Sequence, residues 1–113
     1  MIVGIGTDIV ENSRFGSLSD GFLQRIFTEY EIALASEKAS RTEYFASRFA
    51  AKEAVAKALG TGFRNLPIRD IEIHEDKSGR PYPHVKGHED LVFHLSISHE
   101  ESYSVAMVVV ENA

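Results

Sequence analysis

The sequence predicts a single α+β domain in which an antiparallel sheet packs against one long helix and shorter helices. Three observations predict it. Apolar residues recur at helical spacing between Thr42 and Leu59. Both ends of the chain alternate with the two-residue period of a strand. The 113 residues show no repeat, low-complexity tract or linker, which leaves room for one modest core.

The elements follow in chain order. Ile2–Val10, IVGIGTDIV, reads as a strand with Val3, Ile5, Thr7 and Ile9 on one face and Gly4, Gly6 and Asp8 on the other. Asp20–Phe27 reads as a helix capped by Ser19 or Asp20. Thr28 and Glu31 have the spacing of a capping box and start a second helix towards Glu37. Thr42–Leu59 is the long helix; Gly60 suits the position just past its end, and Gly62 makes the following loop flexible. Ile71 and Ile73 alternate in a strand, DIEIHE. Asp76-Lys77-Ser78-Gly79 signals a turn, and Arg80-Pro81-Tyr82-Pro83 leads into an extended segment. Phe93, Leu95 and Ile97 alternate in the next strand, His99 to Ser102 turns, and Tyr103–Val110 returns as the last strand. Met107-Val108-Val109-Val110 is apolar on both faces, so both sides should be covered, and a neighbouring subunit is a candidate cover for one of them.

Composition narrows the function. Twelve Lys and Arg stand against 17 Asp and Glu, a net charge of -5, which argues against a nucleic-acid partner. The chain has no cysteine, which removes disulfide and thiolate-metal chemistry and suits a reducing cytoplasm. The opening MIVGIG has no basic start and no long apolar run, so neither a signal peptide nor a membrane partner is expected. Arg14, Arg25, Lys38, Arg41, Arg48, Lys52, Lys57 and Arg64 fall in the first half-plus of the chain among acidic residues. They read either as a solvated mixed-charge surface or as a basic patch facing an acidic partner.

Three segments carry chemistry. Glu53 interrupts the apolar stripe of Phe45, Phe49, Ala56 and Leu59, and Lys57 follows one turn later. A carboxylate beside an apolar face needs a partner, which metal, cation or phosphate chemistry would supply. The same two residues also fit an ordinary exposed pair. Glycine inside a strand marks close approach by a ligand or another backbone. Asp8, at the end of that bare face, could bind a cation and leave room for a phosphate, or simply end the strand. In HLSISH, His94, Ser96 and Ser98 share one face and His99 falls at the strand end, where active-site groups collect.

With GIGTD near the start, RFAAKEAVAKALGTG in the middle and HLSISHE near the end, the chain resembles the bacterial holo-acyl-carrier-protein synthases, the short 4'-phosphopantetheinyl transferases. The resemblance runs from Ile2 to Glu111 and implies the 4'-phosphopantetheinyl transferase fold over residues 1–113. It also implies transfer of 4'-phosphopantetheine from coenzyme A to a serine of apo acyl carrier protein, in fatty acid biosynthesis. On this resemblance Asp8 and Glu53 hold Mg2+, and Asp8, Glu53 and Lys57 are catalytic. Arg48, Lys57, Gly60, Gly62, Arg80, Pro81, Ser98 and His99 contact coenzyme A. His99 is preferred to His94, and His74, His84 and His88 carry no role. Arg14, with Arg25 beside it, faces the carrier protein. A cytoplasmic homotrimer with active sites at subunit boundaries is implied as well.

Magnesium suits such a reaction, since one or two carboxylates and the substrate phosphates complete its shell. The missing cysteines and the lack of a His cluster argue against zinc. The proton of the attacking serine could pass to Glu53, Asp8 or a metal-bound water; our reading has Glu53 both bind metal and steer a water. Asn12 stands where the family has a hydrophobe, a departure expected to bear on carrier preference. Two other classes remain open from sequence: a noncatalytic trimeric coenzyme A or nucleotide-binding module, and a Mg-dependent enzyme with water as acceptor.

Overall fold

Hydroxyl side chains start all three helices in the computed structural model, which describes all 113 residues. Ser19 accepts from the Phe22 N–H at 3.2 Å and opens α1, Asp20–Ile26. Thr28 and Glu31 form the expected capping box and open α2, Glu29–Ala35, which stops short of Glu37. Ser40 accepts from the Glu43 N–H and opens α3, Arg41–Leu59. Gly60 ends α3 at φ 79°, a left-handed conformation that glycine adopts without strain. The strands are β1 (Ile2–Glu11), β2 (Ile71–Glu75), β3 (Pro81–Val85), β4 (Leu91–His99) and β5 (Tyr103–Asn112). A 3-10 turn, Asn12–Phe15, follows β1 and carries Arg14.

The strands form two antiparallel sheets rather than the one sheet expected. One has the order β1-β5-β4, and β2–β3 is a separate hairpin. Pro81 and Pro83 occupy two positions of β3, and a proline has no N–H to give to a further strand. In the larger sheet Gly6 lies opposite Val108, Asp8 opposite Ala106, and His99 opposite Ser104.

Helix α3 lies across the inner face of that sheet. Ala50, Ala54, Val55 and Ala58 pack there with Val10, Ala106, Val108 and Val110, all buried. The approach is so close that a Cβ on Gly4 would sit 1.9 Å from the Ala58 carbonyl oxygen, and one on Gly6 would sit 2.0 Å from that of Ala54. This corrects one expectation. The bare face of β1 admits the helix backbone, not a phosphate. The opposite face is open: Ile5, Ile9 and Met107 are 70%, 63% and 53% exposed. Within the chain, only the Val108 and Val110 side of the last strand is covered.

Lys52 belongs to no surface patch. It is fully buried, with its ammonium 2.7 Å from Glu31 Oε1 and 2.8 Å from the Ile26 carbonyl. Glu31 Oε2 in turn accepts from the Ile73 N–H at 2.8 Å. Burial lowers the Lys52 pKa, and Glu31 opposes that shift. One ion pair thus ties α1, α2, α3 and β2 together.

Three substitutions test this packing. Gly6→Ala should cost about 3 kcal/mol or more in urea denaturation, because the new methyl meets helix backbone that cannot move alone. Gly21→Ala, in α1 with nothing within 4 Å, should be neutral or stabilising by about 0.5 kcal/mol. Lys52→Met should cost about 3–5 kcal/mol, since it strands the buried Glu31 carboxylate. Equal effects at Gly6 and Gly21 would refute the close-approach account.

Candidate active site

Asp8 lies two residues beyond Gly6 on the same face of β1, so it meets α3 where the glycines hold strand and helix together. The residue it meets is Lys57, whose ammonium donates to Asp8 Oδ1 at 3.1 Å and to the Thr7 carbonyl at 3.0 Å. Lys57 thus bonds across to the strand rather than back to Glu53 one turn earlier. Glu53 is half-buried, and its pKa is raised, first by burial and then by the nearby Asp8 charge. Lys57 and Arg14 act on it in the opposite direction. Asp8, Glu53, Lys57 and Arg14 therefore form one electrostatic cluster drawn from β1, the turn after it, and α3.

The cluster fits a hard divalent cation. Two carboxylates repel each other there, and the one lysine that bonds into the pair serves Asp8. No third His, Cys, Asp or Glu joins them, so water and phosphate oxygens would fill the remaining positions. The donors are all oxygens, which suits Mg2+ and not zinc.

Arg14 also borders an apolar groove of about 290 Å3, lined by Phe15, Leu18, Phe22, Ile26 and Phe49. Arg25 is exposed in the last turn of α1, on the helix that supplies Phe22 and Ile26, but it does not line the groove.

A second cluster lies further up α3. Arg48 and Lys57 are nine residues apart, about 13–14 Å along the axis. Arg48 and His99, predicted from separate motifs, line one pocket of about 230 Å3 with Lys38, Ser40, Tyr44 and Ser47. The Arg48 guanidinium lies 4.5 Å from the centre of the Tyr44 ring. It donates to Ser47 Oγ at 3.1 Å and to Glu75 Oε2 at 2.5 Å. Burial raises the Tyr44 hydroxyl pKa well above its ordinary value, so it stays protonated.

The remaining predicted residues are scattered. Ser98 is exposed, and strand alternation turns it away from the side that His99 and Ile97 share. Gly60 and Gly62 are exposed with φ of 79° and 58°. Arg80 is exposed in the hairpin turn, and Pro81 pairs with Glu75; neither lines the Arg48 pocket. His94 is bonded to Glu111 on the sheet's outer side.

Besides Lys52, two residues near the site escape the sequence reading. Glu75 holds Arg48, yet lies 27 positions away, and no local pattern marks it. Asn12, expected to bear on carrier preference, is buried. It donates to the Glu100 and Glu101 carbonyls at 2.8 and 3.1 Å and accepts from Ser104 Oγ at 2.7 Å. Its work is to fix the turn that follows His99.

Comparisons with known proteins bear on the fold and the family. A family model described as the 4'-phosphopantetheinyl transferase superfamily matches residues 4–108. The holo-[acyl-carrier-protein] synthase of Halothermothrix orenii is 43% identical over 123 residues, covering 98% of this chain and 98% of that protein. That of Oceanobacillus iheyensis is 47% identical over 116 residues, again with 98% of each covered. The crystal structure of a holo-(acyl-carrier-protein) synthase from Bacillus anthracis in complex with CoA (3',5'-ADP) superposes with a TM-score of 0.91 at 43% identity, covering 100% of this chain and 99% of that one. The Neisseria meningitidis enzyme gives 0.89 at 37% identity, covering 99% and 100%. The fold and family expected from the three motifs are borne out.

The raised Glu53 pKa carries a stability consequence with a definite sign. Folding favours the protonated form, so the penalty is absent below the ordinary carboxylate pKa and complete above the folded one. Without divalent cations, Glu53→Gln should therefore raise the unfolding temperature at pH 7 and leave it little changed at pH 4. After solvent screening the gain is about half a kcal/mol. A lowered unfolding temperature at pH 7 would show that Glu53 is held by a favourable partner instead.

Proposed function

The chain belongs to the 4'-phosphopantetheinyl transferase superfamily, and we propose that it transfers the 4'-phosphopantetheine of coenzyme A to a serine hydroxyl of an apo acyl carrier protein. The products are holo carrier protein and adenosine 3',5'-bisphosphate. The observation that carries this reading is the double placement of Arg14. It borders the apolar groove and acts electrostatically on Glu53, so a partner helix seated in the groove would lie next to the carboxylates. Relatives named holo-[acyl-carrier-protein] synthase, 43% and 47% identical, supply the substrate class.

Carrier proteins are acidic, and Arg14 and Arg25 are the exposed cations flanking that groove and its helix. Apolar side chains of the partner would fill the space between Phe22, Ile26 and Phe49. Lys57, half-exposed and anchored on Asp8 and Thr7, offers a point charge to the diphosphate. Arg48 and His99 hold another phosphate of the nucleotide, and the backbone at Gly60 and Gly62 leaves room for its approach. Glu53, whose pKa is raised by burial and by the Asp8 charge, receives the serine proton through a water. Asp8 and Glu53 would hold Mg2+, whose contribution is to neutralise charge that develops on the diphosphate.

The exposed apolar face of β1 and β5, centred on Ile5, Ile9 and Met107, supports a homotrimer built on that face. Asp8 lies on the strand that carries Ile9, so the active sites would fall at the subunit boundaries. No helix is long and apolar enough to cross a membrane. We place the activity in the cytoplasm, in fatty acid biosynthesis, where a cysteine-free chain meets no redox constraint.

The test is to incubate the protein with apo acyl carrier protein, coenzyme A and magnesium, then weigh the carrier. One added phosphopantetheine is expected, abolished by chelation and by Asp8→Ala. Glu53→Gln should lower turnover by about two orders of magnitude while leaving coenzyme A affinity within about threefold. Binding of coenzyme A without transfer to any carrier would favour a noncatalytic nucleotide-binding module.

A further inference from the structure

The pocket around Arg48 holds more hydrogen-bond donors than the chain satisfies. The Arg48 Nε–H and the Tyr44 hydroxyl are both buried without a partner, and the residues line the same cavity. Because burial keeps the Tyr44 hydroxyl protonated, it is a donor in search of an acceptor. His99, Lys38, Ser40 and Ser47 stand around the same space. Such a surplus of donors is the negative image of a phosphate.

Two of the cations that line the pocket already have a carboxylate partner outside it. Glu75 takes the Lys38 ammonium on both oxygens, at 2.8 and 2.7 Å, and the Arg48 guanidinium at 2.5 Å. Its side chain is 18% exposed, and it ends β2 just before the exposed turn Asp76–Gly79. Glu43 lines the pocket but bonds neither cation.

We propose that Glu75 is an internal counter-ion of the nucleotide pocket, occupying Lys38 and Arg48 until a phosphate of the cofactor displaces it. The inference rests on the reading of Arg48 as a phosphate contact. Glu75 then sets the nucleotide affinity in two ways of the same sign. A phosphate must first break its ion pairs, and afterwards the displaced carboxylate still repels the bound anion. At physiological salt the screening length is about 8 Å, so a carboxylate next to the cations that line the pocket remains felt. The gain for the enzyme is release: a pocket with its own anion lets adenosine 3',5'-bisphosphate leave after transfer.

Calorimetric titration tests this. Wild type, Glu75→Gln and Glu75→Ala are titrated with adenosine 3',5'-bisphosphate, coenzyme A and dephospho-coenzyme A, each variant first checked by thermal melting. Both variants should bind adenosine 3',5'-bisphosphate about fivefold to tenfold tighter than wild type. If dephospho-coenzyme A tightens equally, the displacing group is the phosphate on the 5' side; if it does not, it is the 3'-phosphate. Either result supports the counter-ion. Unchanged or weaker binding in both variants would overturn it, leaving Glu75 as an organiser of Arg48. Arg48→Ala separates the underlying reading: coenzyme A binding equal to wild type there would remove Arg48 from the nucleotide site, and the Glu75 inference with it.

Discussion

The structure depends on the contact between β1 and α3, where a strand touches a helix backbone to backbone. Gly4 and Gly6 make it possible, because any Cβ at either position would collide with a helix carbonyl oxygen. The helix answers with Ala50, Ala54 and Ala58, side chains too short to hold the strand away. Inward-facing residues of β1 are about 6.8 Å apart, so the next one after Gly6 is fixed within reach of the next turn of α3. That residue is Asp8. Its pairing with Lys57 and its repulsion of Glu53 are consequences of two absent side chains.

The helix must also be fixed about its own axis, since a roll of 100° moves one residue into the place of the next. Lys52 supplies that constraint. It precedes Glu53 and points into the protein, held by Glu31 and the Ile26 carbonyl. A buried ion pair adds little net stability over apolar packing, but a shifted one leaves two unpaired charges in the core. The pair therefore acts on orientation more than on stability. Ile26, whose carbonyl Lys52 holds, also lines the apolar groove beside Arg14. The position of the proposed carrier groove and the position of Glu53 are set by adjacent residues of one helix.

What the sequence made legible was local or motif-borne. Ser19, Thr28 with Glu31, and Gly60 mark helix ends because caps act over three or four residues, and each is found where expected. Asp8 and Lys57 were singled out by position, and the structure joins them. The glycines were read correctly as a site of close approach, but sequence could not say whether ligand or backbone approaches. Lys52 was grouped with surface cations because its partner Glu31 is 21 residues away. Glu75 is invisible for the same reason, and Asn12 reads as bearing on carrier preference because its partners are the carbonyls of a turn 88 and 89 residues on. Long-range pairing of polar groups leaves no periodic trace in one chain.

The same strand explains the outward apolar face. A strand has two faces, and β1 gives its inner one to glycine, Asp8 and Val10. Its β-branched bulk, Val3, Ile5 and Ile9, is therefore forced to the other side, beside Met107 and the half-buried Val105 and Val109 of β5. A slip of one residue would bury that bulk, but it would drive isoleucine into the helix carbonyls and expose Asp8 on the wrong side. Steric exclusion at the glycines thus forbids the register that would satisfy a monomer. The apolar surface created in this way is left uncovered by the chain itself. On the trimer proposed above, the constraint that places Asp8 against Lys57 also generates the interface that brings a neighbour to the edge of the site.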